Sequence, residues 1–174
     1  PPNTIGEIIV RPKRPHSLME GYYNMPEATL EAFKNLWFHT GDYGVQDEEG
    51  FLYFIDRKKD VIRRRGENIS SYQIERTIAT HPNVYEVAAI AVPSELGEDD
   101  VKVLIQFKEN REVSYEEMIG WMETKLPDFM VPRYLEYVES FPKTPTERIE
   151  KYKLRQNALN ENTWDREKVK KGFN

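Results

Sequence analysis

Asp56-Arg57-Lys58-Lys59-Asp60-Val61-Ile62-Arg63-Arg64-Arg65-Gly66 divides this sequence in two. From Arg57 to Gly66 it sets six cations and one anion into ten residues, a density of charge that resists burial and so marks a boundary between packed segments. The charge balance changes along the chain as well. Residues 1–56 carry four basic and nine acidic side chains, residues 57–142 twelve and sixteen, and residues 143–174 nine and five.

Upstream of the cationic run, short strand patterns (Glu7 to Arg11, Trp37 to His39, Phe51 to Ile55) alternate with Gly and Asp turns. Pro26 suits the first turn of a short helix, and Asp47-Glu48-Glu49-Gly50 reads as the turn before the second arm of a hairpin. Downstream, Ser70 with Gln73 is a capping pair, and Ile69 with Ile74 has the spacing of a hydrophobic staple. These predict a helix running to about His81, stopped by Pro82-Asn83. Val84 to Val92 and Val101 to Phe107 read as strands joined across Gly97-Glu98-Asp99-Asp100. Ser114 with Glu117 opens a second helix, with Tyr115, Met118, Ile119, Met122 and Leu126 on one face until Pro127 ends it. Tyr134 to Val138 is expected as a strand and Ile149 to Leu159 as a closing helix. The fold class is α+β, in small units and without repeats.

The chain has 174 residues, enough for one sizeable domain or two small ones. A net charge of −5 gives no global reason to bind nucleic acid or an anionic membrane, so any anion site must be local. With no cysteine and three scattered histidines (His16, His39, His81), disulfides, thiolate metal sites and a cysteine nucleophile are excluded, and no metal site is expected. The longest apolar run, Val87 to Val92, is far short of the roughly 20 residues of a membrane span. Cytoplasm is the expected location. A chain opening at Pro1 rather than Met is expected to be a piece of a longer one.

Several ordered segments resemble the C-terminal part of the adenylate-forming superfamily, which comprises acyl-CoA synthetases, luciferases and peptide-synthetase adenylation domains. Met19-Glu20-Gly21-Tyr22-Tyr23-Asn24 with Pro26-Glu27-Ala28-Thr29 is similar to the family's glycine-tyrosine turn and following helix. Trp37-Phe38-His39-Thr40-Gly41-Asp42 resembles its Thr-Gly-Asp motif, Asp56-Arg57-Lys58-Lys59-Asp60 its hinge, and Gly66-Glu67-Asn68-Ile69 with Ile74-Glu75 the loop and helix beyond. Leu126-Pro127-Asp128-Phe129-Met130-Val131-Pro132 and Pro142-Lys143-Thr144-Pro145-Thr146 resemble the last two signatures. These segments, in one order, cover about Gly6 to Arg155. The family's phosphate-cradling loop and acyl pocket have no counterpart here. The resemblance therefore implies that residues 1–56 are a β-hairpin or barrel remnant ending the large N-terminal domain. Residues 57–60 would be the hinge, and 61–174 the mobile C-terminal domain.

The resemblance also assigns roles. Asp42 would accept hydrogen bonds from the ribose hydroxyls of ATP and AMP, as an ionised carboxylate can, and Arg57 would contact the same nucleotide. Otherwise Thr40-Gly41-Asp42 is a tight turn and Arg57 one cation in a solvated run. Lys59 falls at the pivot between the adenylating and thioester-forming orientations, or is a plain surface lysine. Gly66 would let the pantetheine arm pass close to backbone, and it also suits a hairpin turn. Phe129 and Arg133 sit where some relatives hold the adenine and phosphates of coenzyme A, with core packing the rival for Phe129. The family's last motif carries a glycine and then a lysine that acts in adenylation, and here the pair is Glu147-Arg148. Arg148 keeps the cation but not its shape, and Lys143 or Lys151 could stand in.

The implied function is the C-terminal region of an ATP-dependent acid-thiol ligase, an acyl-CoA synthetase, inactive without the remainder. Its ligands would be ATP or AMP, coenzyme A, a small carboxylic acid and Mg²⁺, the metal held mostly outside this chain. Asn68-Ile69-Ser70-Ser71 and Glu147-Arg148 resemble ligases grouped with the carnitine and crotonobetaine CoA ligases. The rival reading is a catalytically degenerate module that binds a nucleotide, an RNA or a protein partner through its basic segments. Nucleic acid is the less expected partner, because one short arginine cluster without interleaved aromatics is a poor platform for it.

Overall fold

The computed structural model describes residues 1–94 and 97–170. The chain divides into two compact units, Pro1–Lys59 and Asp60–Asn174.

In the first unit, β1 (Ile5–Val10) is followed by α1 (Pro26–Ala32), β2 (Phe33–Lys34), β3 (Trp37–Gln46) and β4 (Leu52–Arg57). All pair antiparallel on β3, with β1 along one edge and β2 and β4 along the other. The strand pairings do not close into a barrel, so of the expected hairpin or barrel remnant the barrel is corrected to an antiparallel hairpin assembly with one short helix. β3 is longer than the sequence pattern indicated, because Thr40-Gly41-Asp42 is taken up within the strand as a bulge. Glu7 pairs with Tyr43 and Ile9 with His39, so three residues of β3 face the single residue Ile8. The Thr40 hydroxyl donates to the Ile8 carbonyl (2.7 Å) and accepts from the Asp42 amide (3.1 Å). Gly41 supplies the φ of +73° that the bend requires.

The second unit centres on a four-stranded sheet of order β10-β9-β8-β7, formed by β7 (Val84–Pro93), β8 (Asp99–Phe107), β9 (Tyr134–Tyr137) and β10 (Trp164–Asp165). Before it come a small hairpin, β5 (Ile62–Arg64) and β6 (Glu67–Ile69), and α2 (Ser71–Ile78). The Ser70 hydroxyl accepts from the Gln73 amide at 3.1 Å and so caps α2, with both staple residues, Ile69 and Ile74, buried. α3 (Tyr115–Glu123) is capped in the same way by Ser114. It forms part of the crossover that the parallel β8–β9 pair requires. The closing helix, α4 (Lys151–Gln156), is shorter than the expected 149–159, and α5 (Arg166–Lys170) follows β10.

Alternation along the strands separates two cores. Ala89, Val101, Val103, Ile105 and Leu135 face α2, α3 and the β5–β6 hairpin. Ala88, Ile90, Val92, Leu104 and Tyr134 face Phe141, Leu154 of α4 and Ala158. The strap between α4 and β10 passes from one face to the other, because Ala158 packs on the second core and Trp164 on the first. It is held by Lys102, only 1% exposed, whose ammonium donates to Glu136 (2.5 Å), the Ala158 carbonyl (2.6 Å) and Thr163 (2.8 Å). Among the described residues, every buried hydrophobic side chain lies between Ile62 and Phe141. The first unit instead exposes Phe51, Leu52, Tyr53 and Phe54 by 49–61%.

Candidate functional site

The sequence-assigned residues fall into three places. Asp42 and Arg57 are opposite one another on β3 and β4. The hairpin register from Gln46↔Leu52 to Gly44↔Phe54 would set Asp42 against Asp56, but a bulge between Tyr43 and Gly44 shifts it by one residue. Arg57 therefore faces Asp42, which replaces a repulsive carboxylate pair by an attractive one. Arg57 Nε lies 3.2 Å from Asp42 Oδ1. That oxygen is buried without a hydrogen bond, while the side chain as a whole is 30% exposed. The exposed part of the side chain is therefore not Oδ1, and the carboxylate keeps acceptor capacity unspent. An acceptor beside a guanidinium fits a nucleotide's sugar and phosphate. Buried Asp56 supports the corner by accepting from the Arg57 amide at 2.7 Å.

Beside this pair, Glu7 Oε2 accepts from Lys58 Nζ (3.0 Å) and lies 3.1 Å from His39 Nδ1. Hydrogen bonding from His39 and then Lys58 holds the Glu7 carboxyl below its usual range. Lys58 is fastened twice, since its amide also donates to the Gly41 carbonyl at 2.8 Å. On the other side of Lys59, buried Asp60 pairs with Arg155 of α4. Lys59 is exposed in the turn, and among the described residues its side chain has no bonding partner.

Gly66, Phe129 and Arg133 gather around Arg64. Arg65 (φ +53°) and Gly66 (φ +80°) form the two-residue turn between β5 and β6, with the Gly66 amide donating to Glu98 (3.0 and 3.2 Å). No atom lies within 4 Å of where a Gly66 Cβ would stand, so the glycine serves its backbone angle and leaves open space beside it. Arg64 points inward, only 4% exposed, and donates to the carbonyls of Phe129 (3.1 Å) and Val131 (2.9 Å). Burial pushes its pKa down, and Asp100 at 3.2 Å opposes the shift. The three arginines after Ile62 are thus not one patch, because Arg64 is spent inside. Phe129, in a 3-10 turn (Asp128–Met130), packs against the first core. The Arg133 guanidinium is filled by carboxylates: Asp165 through two contacts of 3.2 Å, Asp100 at 2.9 Å and Glu167 at 3.6 Å. The cavity it borders is about 90 Å³, below the roughly 300–1,000 Å³ of small-molecule pockets.

Arg148 sits at the tip of a loop closed by the Lys143↔Ile149 bridge and by the Thr144 amide donating to the Arg148 carbonyl at 2.9 Å. It is exposed, and among the described residues its guanidinium has no partner. The two candidate substitutes are committed. Lys143 pairs with Glu86 (2.9 Å) and Glu147 (3.4 Å), and the Glu86 contact raises its pKa. Lys151 pairs with Glu75 (2.6 Å) and Ser71 (2.9 Å). Glu147 has φ +61°, a left-handed conformation that suits the glycine expected there. Sequence reasoning missed Glu7, Lys102 and Arg155. The one signal for Lys102 is a lone cation inside Val101 to Phe107. Among the described residues no group of three His, Asp or Glu side chains could hold a metal ion, and no helix is long and apolar enough to cross a membrane.

Residues 73–148 match the AMP-binding enzyme C-terminal domain. A crotonobetaine/carnitine–CoA ligase of Proteus mirabilis is 37% identical over 155 residues, which are 88% of this chain and 30% of that protein. A peroxisomal trans-cinnamate:CoA ligase of Petunia hybrida is 40% identical over 89% of this chain and 27% of its own length. The solved structure of o-succinylbenzoate CoA synthetase from Bacillus subtilis, in complex with its acyl-adenylate intermediate, superposes with a TM-score of 0.77 at 27% identity, covering 92% of this chain and 31% of that one. The chain thus spans under a third of the length of these relatives. With its domain match, its fold and its ordered motifs, it belongs to the C-terminal region of the adenylate-forming enzymes.

Proposed function

We propose that this chain is the C-terminal portion of an ATP-dependent acyl-CoA synthetase, with residues 61–174 as its moving part and the rest of the body outside this chain. In the first step a carboxylate oxygen attacks the α-phosphorus of ATP and pyrophosphate leaves. In the second the sulfur of coenzyme A attacks the acyl carbon, AMP leaves, and the thiol gives up its proton. The observation that carries this reading is the Asp42–Arg57 pair, set opposite one another by a bulge and keeping an open carboxylate acceptor. Asp42 would take the ribose hydroxyls and Arg57 would add positive charge nearby. Mg²⁺, when bound, would neutralise the triphosphate, and its ligands would lie mostly outside this chain.

Residues 1–56 are read as the end of the larger domain, supported by their exposed aromatic strand and by a core confined to the second unit. Lys59 is read as the pivot, because its neighbours are tied down, Lys58 to Glu7 and Asp60 to Arg155. A rotation would then concentrate in one residue's dihedrals. Arg148 would stabilise charge developing at the α-phosphate, the free cation of its loop while Lys143 and Lys151 are paired. Gly66 would line the path of the pantetheine arm, with Phe129 against the adenine. Arg133 would reach coenzyme A phosphates only by exchanging carboxylate partners. The relatives named above differ in the acid they activate, so this portion would supply shared chemistry and the absent body would select the acid. The absence of cysteine agrees with a reducing, cytoplasmic setting.

The test is pyrophosphate exchange. The 174-residue chain alone should show none, and in the parent protein Arg148→Ala should lower adenylate formation by about 10²–10³-fold, as expected for one transition-state donor. Unchanged exchange in that variant would remove Arg148 from the chemistry.

A further inference from the structure

Arg155 is given no ligand in the reading above, yet its guanidinium pairs with Asp60, the residue that follows the pivot, and the two side chains are only 25% and 12% exposed. Arg155 closes the last turn of α4, and α4 leads directly out of the Arg148 loop. A helix of six residues does not hold itself in water, so its bonds decide where α4 lies. Among the described residues three attachments hold it. At the first turn Lys151 donates to Glu75 (2.6 Å) and Ser71 (2.9 Å) of α2, and Glu75 also accepts from the Ala89 amide of β7 (2.7 Å). In the middle Leu154 packs on the second core. At the end is Arg155 on Asp60. Lys151 and Arg155 are four apart and share a helix face, about 6 Å along the axis.

The loop at the other end is stiff. The Lys143↔Ile149 bridge, the Thr144–Arg148 hydrogen bonds (2.9 and 3.1 Å) and the Glu150 amide on the Pro142 carbonyl (2.9 Å) close it on itself. Its base runs straight into α4 at Lys151. We propose that α4 is a strut joining the pivot to the Arg148 loop, with Arg155 as its positioning residue. This rests on the proposed function for its consequence but not for its mechanical part. Losing the Arg155–Asp60 pair frees two things at once, the backbone after Lys59 and the far end of the helix that seats Arg148. The pivot then spreads over several residues and Arg148 loses its fixed place.

The test uses the parent protein with two readouts. Arg155→Ala should lower adenylate formation by about 10- to 100-fold, the cost of misplacing a reacting group by about an ångström. The KM for ATP should stay within about twofold, because the nucleotide residues lie in the other unit. Arg155→Lys, which keeps a cation able to reach Asp60, should recover most of the rate. Amide hydrogen exchange should quicken both at 60–64 and at 144–149 while β7 and β8 stay protected. Asp60→Asn, which keeps the shape, should give the same pattern and decides the matter if Arg155→Ala does not fold. Faster exchange at 60–64 alone would overturn the strut, as would a rate loss matched by the fraction of unfolded protein. A parent protein without any adenylation would sink the proposed function, while the exchange pattern would still decide the strut.

Discussion

Lys102→Met is a test of how the second unit is held together. The wild-type ammonium is 1% exposed and spends all three donors, on Glu136, the Ala158 carbonyl and Thr163. In the variant Glu136, 8% exposed, keeps only Asn160 and Thr163 as donors. An unpaired buried charge of this kind costs about 3–5 kcal/mol. For a unit of this size that is a fall in Tm of about 12–20 °C, at about 4 °C per kcal/mol. Urea unfolding of the 174-residue chain, followed by circular dichroism and by tryptophan fluorescence, would measure it. Replacing both charges, Lys102→Met with Glu136→Leu, should recover at least half of the loss, because the penalty comes from the stranded carboxylate. A single variant within about 1 kcal/mol of wild type, or a double variant as unstable as the single, would refute the assignment of Lys102 as the clamp on the strap.

Glu147→Gly should raise the unfolding free energy measured in urea by up to about 1 kcal/mol, since it relieves a left-handed φ at the loss of an exposed ion pair worth little. A fall of that size would mean the loop is not strained there. In the first unit, Glu7 is held ionised by His39 and Lys58, so its titration by NMR should fall below the ordinary glutamate range. Its contribution to stability is present above the ordinary, unfolded-state glutamate midpoint and fades as pH falls through the depressed one. Lys58→Met should move the midpoint back up, and an unmoved one would discount the contact. Lys59→Pro in the parent protein should fix φ at the pivot and slow thioester formation more than adenylation. Equal loss of both steps would argue against a hinge at that residue.

Much of this fold was legible because local rules and packing agree. The serines at 70 and 114 cap their helices as their spacing indicates, and Val84 to Val92 and Val101 to Phe107 pair as expected. What was not legible depends on register and on distant partners. A one-residue bulge decides that Arg57 rather than Asp56 faces Asp42, and nothing in the local pattern announces it. Arg63-Arg64-Arg65 reads as a solvated run, yet strand alternation turns the middle arginine inward onto carbonyls more than sixty residues away. Lys102 is concealed for the same reason, because its acceptors lie 34 to 61 residues further on. Arg133 has the chemistry of an anion-binding residue, and only the fold shows that Asp100 and Asp165 already occupy it.

The hydrogen bond from the Ala89 amide to Glu75 has a consequence for the molecule in company. β7 is the outermost strand of its sheet, ten residues long and rich in Val, Ala and Ile. A strand like that invites a stranger's backbone to dock edge to edge, the first event of amyloid-like association. A carboxylate laid across the middle of the row takes up a donor that an intruding chain would need, and Pro93 at the end of the strand offers none. Glu75 thereby acts as a gatekeeper, blocking one backbone donor in the middle of an edge strand.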